Sequence, residues 1–352
     1  MKNLGPRPPS MSSLKHVLVT GFEPFGEHDF NISEAVARCF AGEKELFNPW
    51  TGESVLVEAE FCILTVDQPG SLHIAQRLAN GERWDAILHL GLCERCELPR
   101  VERTARDILD MRMPDNQGRH VTRATIDGEG HRGTWVDPTV WDDAQFPVAF
   151  DVSTNAGAYL CNETYFQTLK QLVLSPHSAA LPSPCIFLHL PDVDRISVEN
   201  AEQFATACLA YLLFPSPPAS IDVVAAYLPL ANGHVIMRRA LSDADGGMWE
   251  YPGGKCEPTE SWREATVREL MEELEIVVSP QHPIGTWLRS RGDEHYSVHL
   301  VQCDWSRDLE SICLNAHETI AAVDEHTEVD GEWAGRDGEM HAHITEVDSN
   351  PC

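Results

Sequence analysis

The sequence contains no apolar run approaching the roughly 18 residues that a membrane-spanning helix needs, so no membrane partner is expected. It is poor in basic charge: 26 lysines and arginines stand against 55 aspartates and glutamates, a formal net charge of −29. No Lys/Arg-rich run interrupts that acidity, which argues against a nucleic-acid polymer or an anionic membrane surface as partner. A nucleotide is not excluded, because metal ions can screen its phosphates. Internal repeats are absent. The eleven cysteines are odd in number and scattered, the pattern of reduced thiols in a cytoplasmic protein rather than of a disulfide framework. The opening MKNLGPRPPSMSS lacks the apolar stretch of a signal peptide and reads as a disordered lead over residues 1–13, with Met11 an alternative start.

What the chain does have is length and apolar content: 352 residues, 43% hydrophobic, enough for two cores. Short β-branched runs at His16–Phe22, Trp84–Leu92 and Cys185–Pro191 alternate with helical patterns near Ser33–Phe40, Ser71–Leu78, Asn162–Leu174 and Val198–Leu213. That alternation predicts an α/β class and an N-terminal α/β/α layered domain over 14–213. Residues 117–150, rich in Gly, Asp and Pro, read as one long loop. The proline-stiffened FPSPPAS, residues 214–220, predicts a linker. Strands near Val223–Leu228, His234–Arg238 and His295–Cys303 then predict a second domain over 221–325. Residues 326–352 are acidic and apolar-poor, and predict a mostly disordered tail.

In the second domain, GGKCEPTESWREATVRELMEELEI (Gly253 to Ile276) predicts an amphipathic helix around Ser261–Leu274. At about 100° per residue, Val267, Leu270, Met271 and Leu274 share one face, and Glu269, Glu272 and Glu273 crowd another. Two readings are open. One is a solvated acidic face. The other is a set of carboxylates whose repulsion hard divalent cations relieve, oxygen ligands favouring Mg²⁺ or Mn²⁺. The preceding loop, Trp249-Glu-Tyr-Pro-Gly-Gly-Lys255, can bring bare backbone close to a ligand.

The spacing of Gly254, Glu260, Arg268, Glu269, Leu270, Glu272 and Glu273 closely resembles the Nudix hydrolase signature, and residues 221–325 look most like its mutator-type branch. One position departs: Glu275 stands where the family has a helix-ending glycine. The resemblance implies a Nudix α/β/α sandwich and Mg²⁺- or Mn²⁺-dependent hydrolysis of a nucleoside di- or triphosphate derivative. It implies that Glu269, Glu272 and Glu273 hold metal with the Gly253 carbonyl nearby, or that Glu269 instead helps to activate water. Glu260 and Arg268 would pair and brace the loop against the helix. Arg239 is read as a phosphate contact or as an ordinary surface arginine, and Glu318, in NAHETI, as a further acidic ligand.

In the first domain, NAGAYLCNETYF (155–166) poses the question of Cys161: a nucleophile, or one more buried thiol. A nucleophile needs a thiolate near neutrality, which the N-terminus of a helix and a nearby histidine can supply. His189 ends the strand Cys185–Pro191 and is either that base or a structural polar residue. Four segments in order resemble pyroglutamyl peptidase I: Val19-Thr-Gly-Phe-Glu-Pro-Phe-Gly26 with Asn31 and Ser33; Val101-Glu-Arg103 with Arg112-Met-Pro-Asp-Asn-Gln-Gly118; Gly157-Ala-Tyr-Leu-Cys-Asn162; and Phe187-Leu-His-Leu-Pro191. The resemblance implies a cysteine exopeptidase without a cofactor, with Cys161 as nucleophile, His189 as general base and then acid, and Glu102 as the orienting acid. Phe22 and Phe25 would line the lactam pocket, pyroglutamyl peptides would be the substrates, and homo-oligomers are open because the family often forms tetramers. Leu92-Cys-Glu-Arg-Cys96 departs from the family's Gln and Gly-Gly-Arg, which lie near the substrate. Cys93 and Cys96 form a lone CxxC, expected to be two ordinary thiols rather than half a zinc site.

The leading expectation is a bifunctional hydrolase. A second expectation leaves only the Nudix domain active, with the peptidase-like domain a scaffold or peptide-binding module. A third makes the Nudix domain a nucleotide sensor for the peptidase.

Overall fold

The computed structural model describes residues 14–26, 28–174, 181–242, 245–315, 317–324, 326–327 and 329–349. The lead expected over 1–13 lies outside them. In the first unit the elements run β1 (Lys15–Phe22), α1 (Ile32–Arg38), β2 (Gly42–Phe47), β3 (Ser54–Leu64), α2 (Gln68–Ala79), β4 (Ala86–Leu92), β5 (Arg100–Glu102), β6 (Thr104–Ala105), β7 (Arg132–Gly133), β8 (Asp151–Ser153), α3 (Leu160–Leu174), β9 (Cys185–Leu190) and α4 (Val198–Leu213). In the second they run β10 (Ile221–Tyr227), β11 (His234–Arg239), β12 (Trp249–Glu250), β13 (Gly253–Lys255), α5 (Trp262–Leu274), β14 (Ser279–Arg291), β15 (Glu294–Asp304), β16 (His317–Val323) and α6 (Asp337–Ser349).

A seven-stranded sheet ordered β2-β3-β1-β4-β9-β5-β8 forms the middle layer of the first unit. Its central strands β1, β4 and β9 are parallel and buried on both faces, which is why they read as continuous apolar runs. α1 and α4 pack on one face around Val36, Phe204 and Leu209, and α2 and α3 on the other around Ile74, Phe166 and Leu169. The Asn31 side chain caps α1 by accepting the Ser33 amide. Gly21 lets that turn close on β1, since a Cβ there would lie 2.2 Å from the Ser33 carbonyl oxygen.

The second unit stacks a four-stranded sheet, β13-β10-β15-β14, and a three-stranded sheet, β12-β11-β16, between α5 and α6. α5 opens on a capping box, Ser261 with Glu264. Its buried face is Trp262, Ala265, Thr266, Leu270 and Leu274, whereas Val267 is 37% and Met271 42% exposed. The expected apolar face is therefore rotated: Trp262 turns inward, and the stripe carrying Glu269 and Glu273 comes with it.

Two further expectations change. The acidic tail is not disordered through 337–349: α6 buries Met340, Ile344 and Val347, three apolar residues that the acidic composition conceals. Residues 117–150 are not simply an open loop, because Val136 is buried in the core of the first unit and Trp135 and Asp137 are buried against the second. Trp135 joins the core of the second unit, its ring 5.3 Å from Trp262 and 5.2 Å from His299. β7 approaches β14 so closely that a Cβ on Gly133 would overlap the Ile284 carbonyl oxygen.

Candidate active sites

Gly157, at φ +82°, turns the chain into α3, and Cys161 falls in the first turn of that helix. Asn162 follows it, fully buried; its side chain accepts the Arg106 amide at 2.8 Å and donates to the carbonyls of Arg106 and Ile108. The nucleophile block is thereby tied to the strand region after Glu102. β4 passes beneath Cys161 at Gly91, where a Cβ would lie 3.1 Å from the sulfur and closer still to the Phe187 ring. Only a residue without a side chain leaves the sulfur its place.

β9 carries His189 and β5 carries Glu102, on neighbouring antiparallel strands. His189 Nδ1 donates to Glu102 Oε1 at 2.8 Å, and the imidazole also hydrogen-bonds Cys161. Glu102 is wholly buried, and its Oε2 has no partner among the described residues. Burial disfavours the His189 cation, but the hydrogen bonds and charges of Cys161 and Glu102 outweigh it and raise the pKa to about 10. Sulfur, imidazole and carboxylate from three distant segments thus stand in one line, an arrangement suited to proton withdrawal from the thiol.

Phe25 is half-buried at the margin of the core cluster that Cys161 also borders, whereas Phe22 lies inside that core at 3% exposure, so Phe25 presents the more open ring. The 92–96 segment reaches Phe25 by way of His28. Glu94 bonds His28 Nε2 at 2.5 Å, and the His28 ring lies 5.6 Å from that of Phe25. The Cys93 amide donates to the carbonyl of Leu190, next to His189. Cys93 and Cys96 are not two free thiols: they form a disulfide, because a tight turn, closed by the Cys96 amide on the Cys93 carbonyl at 3.2 Å, brings their Cα atoms to 5.4 Å.

In the second unit, glycines let the loop before α5 lie against the helix. Gly253, at φ +146°, packs on the Val224 carbonyl, and a Cβ on Gly254 would fall 2.4 Å from the Glu269 carboxyl carbon. Arg268 binds Glu260 through two parallel bonds of 2.8 Å and donates to the Lys255 carbonyl at 3.0 Å, fixing loop to helix. It also holds Glu269 Oε1 at 2.7 Å. Glu273 accepts the Gly253 amide at 3.0 Å, and burial pushes its carboxyl up to about 7 against the opposing pull of His317 and that amide. Glu272 points outward, 61% exposed.

Arg239 is occupied by Glu250, with bonds of 2.9 and 2.7 Å. Glu318 lies exposed on β16 beside His317, which bonds Glu250 at 2.7 Å. His317 and Glu250 are the inward-facing pair that sequence reasoning missed, and period-two alternation along β16 separates His317 from Glu318.

Among the described residues no three His, Cys, Asp or Glu side chains are gathered for a metal ion. The donors nonetheless suit a hard cation: all are oxygens, and the burial that pushes the Glu273 carboxyl up to about 7 penalises its anion in a way that a bound cation would offset. No helix among the described residues is long and apolar enough to cross a membrane.

A profile of the pyroglutamyl peptidase family matches residues 15–212, and one of the NUDIX domain matches 221–343. The pyrrolidone-carboxylate peptidase of Thermococcus kodakarensis is 32% identical over 182 residues, 50% of this chain and 80% of that protein. The CTP pyrophosphohydrolase of Escherichia coli K12 is 46% identical over 103 residues, 29% of this chain and 73% of that protein. Among solved structures, the pyrrolidone carboxyl peptidase of Fervidobacterium islandicum is 25% identical with a TM-score of 0.46, covering 56% of this chain and 98% of its own. The chain is thus a hydrolase that belongs to the pyroglutamyl peptidase family and carries a NUDIX domain behind its peptidase domain.

Proposed function

We propose that the chain is a bifunctional hydrolase, with a cysteine exopeptidase over 14–213 that removes N-terminal pyroglutamyl groups and, from residue 221 on, a Nudix pyrophosphohydrolase acting on a nucleoside di- or triphosphate derivative. The observation that carries the first activity is the line from Cys161 through His189 to Glu102, with the 2.8 Å bond fixing Nδ1 and leaving Nε2 to face the sulfur. His189 takes the thiol proton as sulfur attacks the pyroglutamyl carbonyl. The C–N bond then breaks, and His189 returns the proton to the leaving amine. Water, deprotonated by the same imidazole, hydrolyses the thioester and restores Cys161. The oxyanion is held by backbone N–H groups.

In the second activity Glu269, Glu272 and Glu273, with the Gly253 carbonyl, are the residues that would hold Mg²⁺ or Mn²⁺. A bound ion of this kind lowers the pKa of attacking water and offsets diphosphate charge. Arg268 holds Glu269 in reserve against the loop, and the Gly253 amide orients Glu273. Glu269 alternatively accepts a proton from the water. Arg239 would contact phosphate only by leaving Glu250. Glu318, exposed, is the weakest of the proposed ligands.

Release of arylamine from a pyroglutamyl arylamide, and Mg²⁺-dependent release of pyrophosphate across a nucleotide panel, test the two activities separately. Cys161→Ala abolishes the first and spares the second; Glu272→Gln does the reverse. Unchanged arylamide turnover in Cys161→Ala sinks the triad assignment. A second reading, a peptidase domain that only binds peptide, is favoured by the disulfide-closed 92–96 segment in place of the family's substrate loop. Failure of iodoacetamide to label Cys161 near neutrality would support it.

A further inference from the structure

Glu102 and Arg103 are consecutive, and their side chains leave the strand in opposite directions. Glu102 turns to His189. Arg103 turns to the second unit, where Nη2 donates to the Thr286 carbonyl at 3.2 Å and the guanidinium lies 4.8 Å from the Trp287 ring centroid. Beside Arg103 is Asp137, fully buried, at 3.8 Å. Its Oδ2 accepts the Leu288 amide at 2.9 Å and Arg336 Nη1 at 2.6 Å. Arg336 stands immediately before α6. It also donates to the Leu288 carbonyl and to Thr139 Oγ1, each at 2.9 Å, and pairs with Glu339.

The backbone at Arg103 is fixed as well: its amide donates to Ser153 and its carbonyl accepts from Thr134. The residue next to the acid of the triad is therefore held by groups from both units. A displacement of a fraction of an ångström at Arg103 is passed through one peptide to Glu102. Misplacement on the ångström scale lowers catalytic rates by about a hundredfold.

We propose that Arg336, from the Nudix half, is a positioning residue for the peptidase half: through Asp137 and Arg103 it fixes the strand that presents Glu102 to His189, so the cysteine site is complete only with the second unit docked. This role rests on the assignment of Cys161, His189 and Glu102 as the peptidase triad. It adds to that assignment a contribution from outside the peptidase family's span.

The test uses the full chain with Arg336→Ala, Arg336→Lys and Thr139→Val. Two quantities are read beside the melting temperature: kcat and KM on a pyroglutamyl arylamide, and the ratio of Cys161 alkylation rates by iodoacetamide at pH 8 and pH 6, followed by peptide mass spectrometry. Arg336→Ala lowers kcat about tenfold or more with little change in KM. It also raises the alkylation ratio, because a less well-placed Glu102 supports the imidazolium less at the lower pH. Arg336→Lys recovers part of both, and Thr139→Val moves both in the same direction by less. If Arg336→Ala does not fold, Arg336→Lys and Thr139→Val carry the test: both at wild-type values overturn the proposal. A variant that melts lower yet keeps wild-type kcat and alkylation ratio makes the network mere adhesive and overturns it too. Alkylation needs no substrate. A wild type that fails on the arylamide but shows the Arg336-dependent ratio sinks the substrate assignment and leaves the positioning role standing.

Discussion

Glu275 offers a substitution whose effect can be worked from the backbone. It caps α5 in the left-handed region, φ 56° and ψ 30°, at the position where the Nudix signature has glycine. A residue with a Cβ there costs about 1–2 kcal/mol relative to its preferred conformations. Glycine relieves that cost but gives back roughly 0.5–1 kcal/mol through the greater freedom of the unfolded chain. Glu275→Gly also loses the 3.2 Å bond from Asn315 Nδ2, an exposed contact contributing on the order of a few tenths of a kcal/mol. The balance favours glycine by about 0.5 kcal/mol, a rise of about 2 °C for a cooperative unit of this size. Thermal unfolding followed by circular dichroism reads it, with Glu275→Ala as the control that loses the carboxylate and keeps the strained cap. The expected order of melting temperatures is Gly above Glu above Ala, with nucleotide hydrolysis unchanged. If Glu275→Gly melts at or below Glu275→Ala, the cap conformation is not a source of strain and the reasoning fails.

Trp135 makes a second case: it is 3% exposed yet belongs to the core of the other unit, so Trp135→Ala loses about 3–5 kcal/mol and splits one calorimetric transition into two. A single transition at the wild-type temperature counts against a shared core. Asp337 gives a pH test. Burial pushes its carboxyl up to about 7, against the opposing bond from the Tyr251 amide. A raised folded-state pKa means stability present below about 4, the ordinary carboxyl range, and lost as pH rises through about 7. Asp337→Asn, which keeps an acceptor for Tyr251, removes that loss, so the melting temperatures of variant and wild type diverge in favour of the variant between pH 5 and 8. Parallel curves would show that the carboxyl does not titrate in that range.

Much of each site was readable because its chemistry lies within short, patterned segments. The glutamates of α5 announce themselves by helical spacing, and Gly253 and Gly254 mark a loop of bare backbone, which the structure lays against that helix. Cys161 stands out by its block and by the helix expected just after it, which the structure begins one residue before it. The helix phase misled where it relied on hydrophobicity alone: Val267 and Met271 look like core and are exposed, while Trp262, set on the acidic side, is the residue that packs. Charge composition misled at 326–352, where Met340, Ile344 and Val347 are too few to register against the acidic background but fall on one side of α6.

What stayed hidden depends on contacts between segments far apart in the chain. Asp137 sits in a stretch without periodicity, and nothing local marks it as the buried partner of two arginines about 35 and 200 positions away. The Cys93–Cys96 turn could be seen as a CxxC but not as a disulfide, since spacing alone does not say whether the backbone closes. Nothing in the sequence marks His317 and Glu250, because the His317-Glu318 pair on a strand offers two side chains to opposite faces, and only the register of β16 on β11 decides which one faces the carboxylates of α5. A register shift of one residue would have exchanged them. The same rule bears on the first unit, where Glu102 and Arg103 face apart: the strand that gives His189 its carboxylate necessarily offers the next side chain to whatever lies on the other side, and here that is β14 of the second unit.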